Sequence, residues 1–382
     1  MRVLVLSAGV LREPLDGFSK PLRKIVDKID ADADADVTLI EPSMPLNEGR
    51  SKLETATDFF EQLLRAHPSA ARSLRQIAPS NVRKLAKNYD VALCYHATTF
   101  YLLQSSEIPV VLVAQDCLAG LMEGRASLAT STPQRLRLLL GARLMGWVER
   151  IAVRNSDAVT VVSELEREEI SERYGASSLV VTNGVDLPAP SRNEITGRNE
   201  LTFFGNLSVA KNQDALRETI QEIMPAVWEH KSDITLNVLG TGIDQLPQDL
   251  IGLDRIKYTG SVEDLRPEFE RSLVTVQPHR VATGIKNSAL DSLAYGVPLF
   301  ASPAVLRPIF GDGKWPEEFE YKPAEDAGSL LSYLLEPDAL RWQRLSSMGR
   351  SLVASEYSWA QYENVIFELL RTHSRNNNAK YS

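Results

Sequence analysis

Twice along the chain, short apolar runs of strand length alternate with stretches of helical periodicity, and no other feature limits the possible folds so much. One series of runs lies at residues 3–6, 37–40, 91–95, 110–114, 158–162 and 179–182; a second lies at 201–204, 234–239, 256–258, 273–277 and 298–301. Strands that are apolar on both faces need helices above and below them, as in a parallel sheet with helical crossovers. Between the two series come Asn183-Gly184-Val185-Asp186 and a polar, proline-containing stretch, LPAPSRNEITGRNE at 187–200, with the chemistry of turns and linkers. A chain of 382 residues also exceeds one compact core, given domains of about 100–200 residues. The expectation is an α/β fold of two Rossmann-like domains, 1–187 and 188–357, facing across a cleft at the carboxyl ends of both sheets.

Several classes of function are disfavoured. No run approaches the roughly 18 apolar residues of a membrane span. The N-terminal MRVLVLSAGV lacks an extended apolar core region and runs into charged sequence, so it reads as a first strand rather than a signal peptide, and a cytoplasmic location is expected. Cys94 and Cys117 end apolar segments without a second pair to form a metal site, which favours reduced, buried thiols. With 42 basic and 50 acidic side chains, broad nucleic-acid binding is not expected. The tract Asp30-Ala-Asp32-Ala-Asp34-Ala-Asp36 imitates a calcium loop, but Ala35 stands where such a loop needs glycine and a strand follows, so no metal site is expected.

The segment from Val276 to Ser302 carries the most chemistry. It reads as a buried strand, a glycine-containing loop with Arg280 and Lys286, a short helix ending at Gly296, and a second strand. Free N–H groups at a helix N-terminus, the helix dipole and the Lys286 ammonium can converge there on one anion, and a diphosphate fits. Gly284 permits close approach of the backbone to a ligand. Asp291, one turn into the helix, can accept hydrogen bonds from sugar hydroxyls. The competing reading is an ordinary strand-loop-helix corner with solvated charges. A further helix is expected over 135–154, with Leu136, Leu140, Leu144, Trp147 and Ile151 on one stripe beside Arg143 and Arg150. Burial of that stripe against the sheet is the first expectation; peripheral contact with an anionic inner membrane surface is the alternative.

Three more segments add to this one: VTVVSELE at 159–166 followed by VVTNGVD at 180–186; FFGNLSVAKN at 203–212 with VLGTG at 238–242; and Met348-Gly-Arg through to Tyr357-Ser-Trp359. With them the chain resembles retaining glycosyltransferases of family four, which have the two-domain GT-B fold. At Gly284-Ile-Lys-Asn287 it is most similar to sugar transferases of bacterial exopolysaccharide export. The resemblance runs from about Ala158 to the end and is weak before it. It implies that the last helix, 358–382, crosses back onto the first domain. It also implies a nucleotide diphosphate sugar as donor and a surface glycan, lipid-linked molecule or small molecule as acceptor. Anomeric configuration would be retained, with neither metal nor further cofactor. Lys211 matches the lysine that contacts the donor diphosphate, while Asn206 replaces an arginine of the family, leaving Lys286 or Arg280 to substitute. Gly205, Thr283, Ile285 and Asn287 fall in the donor-binding loops, and Asp291 matches a glutamate that grips the ribose. Gln115-Asp116 stands where the family often has a His-Asp pair, so His96 is the remaining catalytic candidate in the first domain. Those departures leave two alternatives, a nucleotide-sugar-binding subunit without catalysis and an epimerase or hydrolase on the same fold.

Overall fold

The computed structural model describes residues 1–9, 11, 19–41, 78–127, 129, 131–189, 195–281, 284–321 and 338–375. The chain divides into two compact units, Met1–Thr182 with Trp359–Ser382, and Asn183–Ser358. In the first, β1 (Arg2–Ser7), β2 (Asp36–Ile40), β3 (Val91–Tyr95), β4 (Val110–Gln115), β5 (Ala158–Val161) and β6 (Leu179–Val180) form a parallel sheet in the order β2-β1-β3-β4-β5-β6. Before Thr182, the helices among the described residues are α1 (Ser19–Asp30), α2 (Pro79–Ala86), α3 (Leu118–Ser127), α4 (Thr132–Arg154) and α5 (Glu164–Tyr174). Successive side chains of β1 explain its unbroken apolar run. Val3 and Val5 pack with Leu22, Ile25 and Ile29 of α1, whereas Leu4 and Leu6 enter a second core with Ala152 and Val153 of α4. Both cysteines are free and buried, and burial pushes the Cys94 thiol up to about 12. The aspartate tract is the turn between α1 and β2, where the Asp34 N–H donates to Asp32 Oδ1 at 3.0 Å.

The α4 helix departs from its first expectation. Its buried residues are Ala142, Met145, Glu149, Ala152 and Val153. Leu136, Leu140 and Trp147, expected in the core, are exposed, while Leu144 and Ile151 are half-buried. The core stripe includes a carboxylate that a count of apolar residues passes over. Glu149 accepts the Leu118 N–H at 2.7 Å, the Ala119 N–H at 3.2 Å and the Tyr174 hydroxyl at 2.7 Å, so it closes the N-terminus of α3.

In the second unit, β7 (Glu200–Phe204), β8 (Thr235–Leu239), β9 (Ile256–Gly260), β10 (Ser272–Gln277) and β11 (Leu299–Ala301) form a parallel sheet in the order β11-β10-β7-β8-β9. It is covered by α6 (Ala210–Glu218), α7 (Met224–His230), α8 (Arg266–Arg271), α9 (Asn287–Ala294), α10 (Pro303–Phe310) and α11 (Ala339–Glu356). The chain builds outward from β7 to β8 and β9, then returns to lay β10 on the other side of β7. The loops after β7 and β10 therefore leave the sheet in opposite directions and open a crevice, the usual ligand site of such sheets. In the first unit the order reverses between β1 and β3. The last described helix, α12 (Trp359–His373), belongs to the first unit and packs Ile366, Phe367 and Leu370 with α1 and β1.

Candidate functional site

At the crevice between β7 and β10, three loops interlock. Gly205 N–H donates to the Leu239 carbonyl at 3.1 Å, and Leu207 N–H to Thr241 at 2.7 Å, so the turn after β7 is hung from the turn after β8. Gly240 makes this fit possible. Its φ is +124°, and a Cβ there would stand 2.0 Å from the Gly205 carbonyl oxygen. Asn206 folds back on its own turn, its Oδ1 accepting the Ser208 N–H at 3.0 Å. Lys211 follows in the first turn of α6. It is half-buried and makes no hydrogen bond or ion pair with any described residue.

Asn212 joins the two sides of the crevice. Its Nδ2 donates to the Asn206 carbonyl at 2.7 Å, which turns Oδ1 toward the loop after β10. There Oδ1 accepts from Lys286 Nζ at 2.9 Å and from His279 Nε2 at 3.0 Å. Since Oδ1 only accepts, the His279 proton sits on Nε2. His279 is buried and stacks on Phe203, with ring centroids 6.1 Å apart. Burial, and after it the Lys286 and Lys211 ammonium groups, hold its pKa well below the ordinary histidine range. The imidazole is therefore a neutral spacer close to two cations. Next to it, Gln277 spans the strand ends, donating to the Phe204 carbonyl at 2.8 Å, and its buried Oε1 meets no donor among the described residues.

Lys286 is also the N-cap position of α9, so its ammonium and the N-terminal N–H groups of that helix belong to one corner. The helix is fixed from behind. Ser292 Oγ donates to Thr275 Oγ1 of β10 at 2.6 Å, and Gly349 of α11 leaves room for Leu293, whose Cδ2 would lie 2.5 Å from a Cβ at that position. Asn287 opens the helix and accepts from Asn183 Nδ2 at 3.4 Å; Asp291 follows one turn later on the same side, half-buried. Gly284 has φ +65°, and Ile285 is buried in the core beneath the loop. Arg280 points elsewhere. It is held by Glu218 of α6 at 2.6 Å, and Tyr321 donates to the other oxygen of the same carboxylate at 2.9 Å. Thr283 lies outside the described residues.

His96 belongs to the first unit, at the end of β3 and so at that sheet's own reversal point. Its φ of 86° is unusual for a residue with a side chain, and Gln115 at the end of neighbouring β4 has φ 59°. His96 Nδ1 lies 2.8 Å from Thr98 Oγ1 and accepts the Thr98 N–H at 3.4 Å, capping a short 3-10 turn. Burial lowers its pKa to about 4, so the ring is neutral near pH 7. Gln115 donates from Nε2 to the Tyr95 hydroxyl.

A model of the glycosyl transferases group 1 matches residues 198–331, and a model of glycosyltransferase family 4 matches residues 31–188. The chain carries both domains of a GT-B glycosyltransferase. Solved structures share the fold at low identity. The Anabaena protein HepE, in complex with UDP and glucose, superposes with a TM-score of 0.62 at 14% identity, covering 97% of this chain and 100% of that one. Sucrose-phosphate synthase from Thermosynechococcus elongatus reaches 0.66 at 17% identity, covering 97% and 98%. The trehalose-6-phosphate synthase OtsA reaches 0.64 at 10% identity, covering 97% and 99%. No curated protein matches the sequence. Within this glycosyltransferase, sequence reasoning passed over Asn212, His279 and Gln277 as site residues. The signal available was polar residues at the end of apolar strand β10 and just beyond it, and one directly after Lys211, where a sheet edge rather than a core is expected.

Proposed function

We propose that this glycosyltransferase moves a sugar from a nucleoside diphosphate sugar to a surface-glycan, lipid-linked or small-molecule acceptor, with retention of configuration and without a metal ion. The observation that carries the reading is the pairing of Lys211 and Lys286 around neutral His279 at the reversal point of the second sheet. The solution of the similarly folded HepE with UDP and with UDP-glucose supports a donor of this class. The two ammonium groups and the α9 N-terminus offset the charge that grows on the departing diphosphate, in fixed positions that need little reorganisation as the bond breaks. Asp291 accepts from the ribose hydroxyls. The acceptor attacks the face that the diphosphate is leaving, and a phosphate oxygen takes its proton, so no side chain need act as nucleophile or base. That suits a first domain with Gln115 in place of the family histidine and with His96 neutral. The resemblance at Gly284-Ile-Lys-Asn287 to exopolysaccharide sugar transferases supports surface-glycan assembly as the setting of the reaction.

Incubation with a panel of nucleotide sugars tests the reading. Slow release of free nucleotide without acceptor, unchanged by excess EDTA, is the expected result. Binding without turnover would favour a subunit that has lost catalysis, and a changed sugar would point to an epimerase. Loss of activity on chelation, with recovery on adding manganese, would end the metal-free mechanism.

A further inference from the structure

The exposed side of α4 lies outside the donor site described above and carries a pattern that calls for a partner. Leu136, Leu139, Leu140 and Trp147 are 58%, 41%, 37% and 50% exposed. At 100° per residue they fall within about 100° of arc, opposite the buried stripe of Ala142, Met145, Glu149 and Ala152. Arg143 and Arg150 lie inside the same arc, and Arg135 and Arg137 flank it; all four are exposed. The single acid between Thr132 and Arg154 is Glu149, which is buried. A chain of net charge −8 thus presents a local cationic and apolar face.

We propose that this face of α4 docks on an anionic lipid bilayer. The charge pattern selects among occupants. A nucleic acid would satisfy the arginines but offers nothing to three leucines at the helix start. A second copy meeting this face by a two-fold axis would set arginine against arginine, because the same patch meets itself. A bilayer with acidic headgroups satisfies both: leucines and the tryptophan enter the headgroup boundary and the guanidinium groups stay at the phosphates. Among the described residues no helix is long and apolar enough to cross a membrane, so the contact lies along the surface.

Co-sedimentation of the 382-residue chain with vesicles tests this without any sugar-transfer step, so its failure leaves the proposed reaction untouched. Binding is expected to vesicles of phosphatidylcholine with phosphatidylglycerol, to weaken with salt, and to vanish on phosphatidylcholine alone. Each replacement in the series Arg135→Gln, Arg137→Gln, Arg143→Gln and Arg150→Gln should weaken binding about fivefold. The triple variant Leu136→Gln, Leu140→Gln, Trp147→Gln should release the protein while its thermal unfolding stays unchanged, because these side chains are exposed. Three results overturn the proposal: no binding to the anionic vesicles, equal binding by the triple variant, or binding indifferent to lipid charge. A concentration-dependent dimer in sedimentation velocity that the triple variant abolishes would assign the face to a second copy instead.

Discussion

Asn212 shows how much of a site can depend on a side chain with no evident chemistry of its own. One amide orients Lys286, fixes the His279 tautomer and ties down the turn at Asn206. The lysines were legible in the sequence because a cation beside a helix start has one obvious use, whereas an asparagine has many. Lys286→Ala should weaken binding of a nucleoside diphosphate about ten- to a hundredfold, the loss of a charge-assisted hydrogen bond, and leave the bare nucleoside almost unaffected. Calorimetric titration of both ligands reads the difference, and equal losses would remove Lys286 from the diphosphate. His96 sets a dependence on acid. Its folded pKa of about 4 lies below the ordinary 6.5, so between those values the unfolded chain binds a proton that the folded chain refuses. Stability is therefore full above about pH 6.5 and falls as pH drops toward 4, by up to about 3 kcal/mol from this group. Urea midpoints at pH 7 and pH 4.5 should differ less in His96→Asn than in the wild type.

At the scale of elements, strands were the easiest part to read, because a parallel strand covered on both faces must be apolar throughout. The α4 helix was harder for a related reason. Its buried stripe contains Glu149, whose carboxyl oxygens are met by two backbone N–H groups and a tyrosine that no local pattern announces. Its leucines pointed to a core that is not there. Loop geometry was the least legible, since Gly240 reads as one of many glycines until the Gly205 carbonyl is placed against it. Gly240→Ala should destabilise the second unit by about 2–5 kcal/mol through backbone strain and overlap with that carbonyl, and should weaken diphosphate binding with it. Gly252, with φ +67° and open space around its Cβ position, is the control. Gly252→Ala carries strain alone and should lower the unfolding temperature far less; equal shifts would show that the overlap at Gly240 is relieved cheaply.

The molecule as a whole is threaded unlike a string of domains. The chain leaves the first unit at Thr182, completes the second, and returns at Trp359. The return was expected from resemblance to a family and not from the residues themselves, because an amphipathic helix does not say which core it serves. In α12, Ile366 is fully buried with Val3, Val5 and Ile25, and Trp359 stacks edge-on to Tyr362 at 5.7 Å. Ile366→Ala should cost about 2–5 kcal/mol. Hydrogen exchange should speed up in β1 and β3 while β7 and β10 stay protected. Uniform acceleration in both sheets would mean that the two units unfold as one. The same threading reaches back to synthesis on the ribosome. At about 5–20 residues per second, on the order of ten seconds or more separate the emergence of Thr182 from that of Trp359. Through that interval the nascent first sheet has α1 on one face but lacks the side chains of α12 that complete the core beside it, and a chaperone that shields apolar surface has its natural moment there.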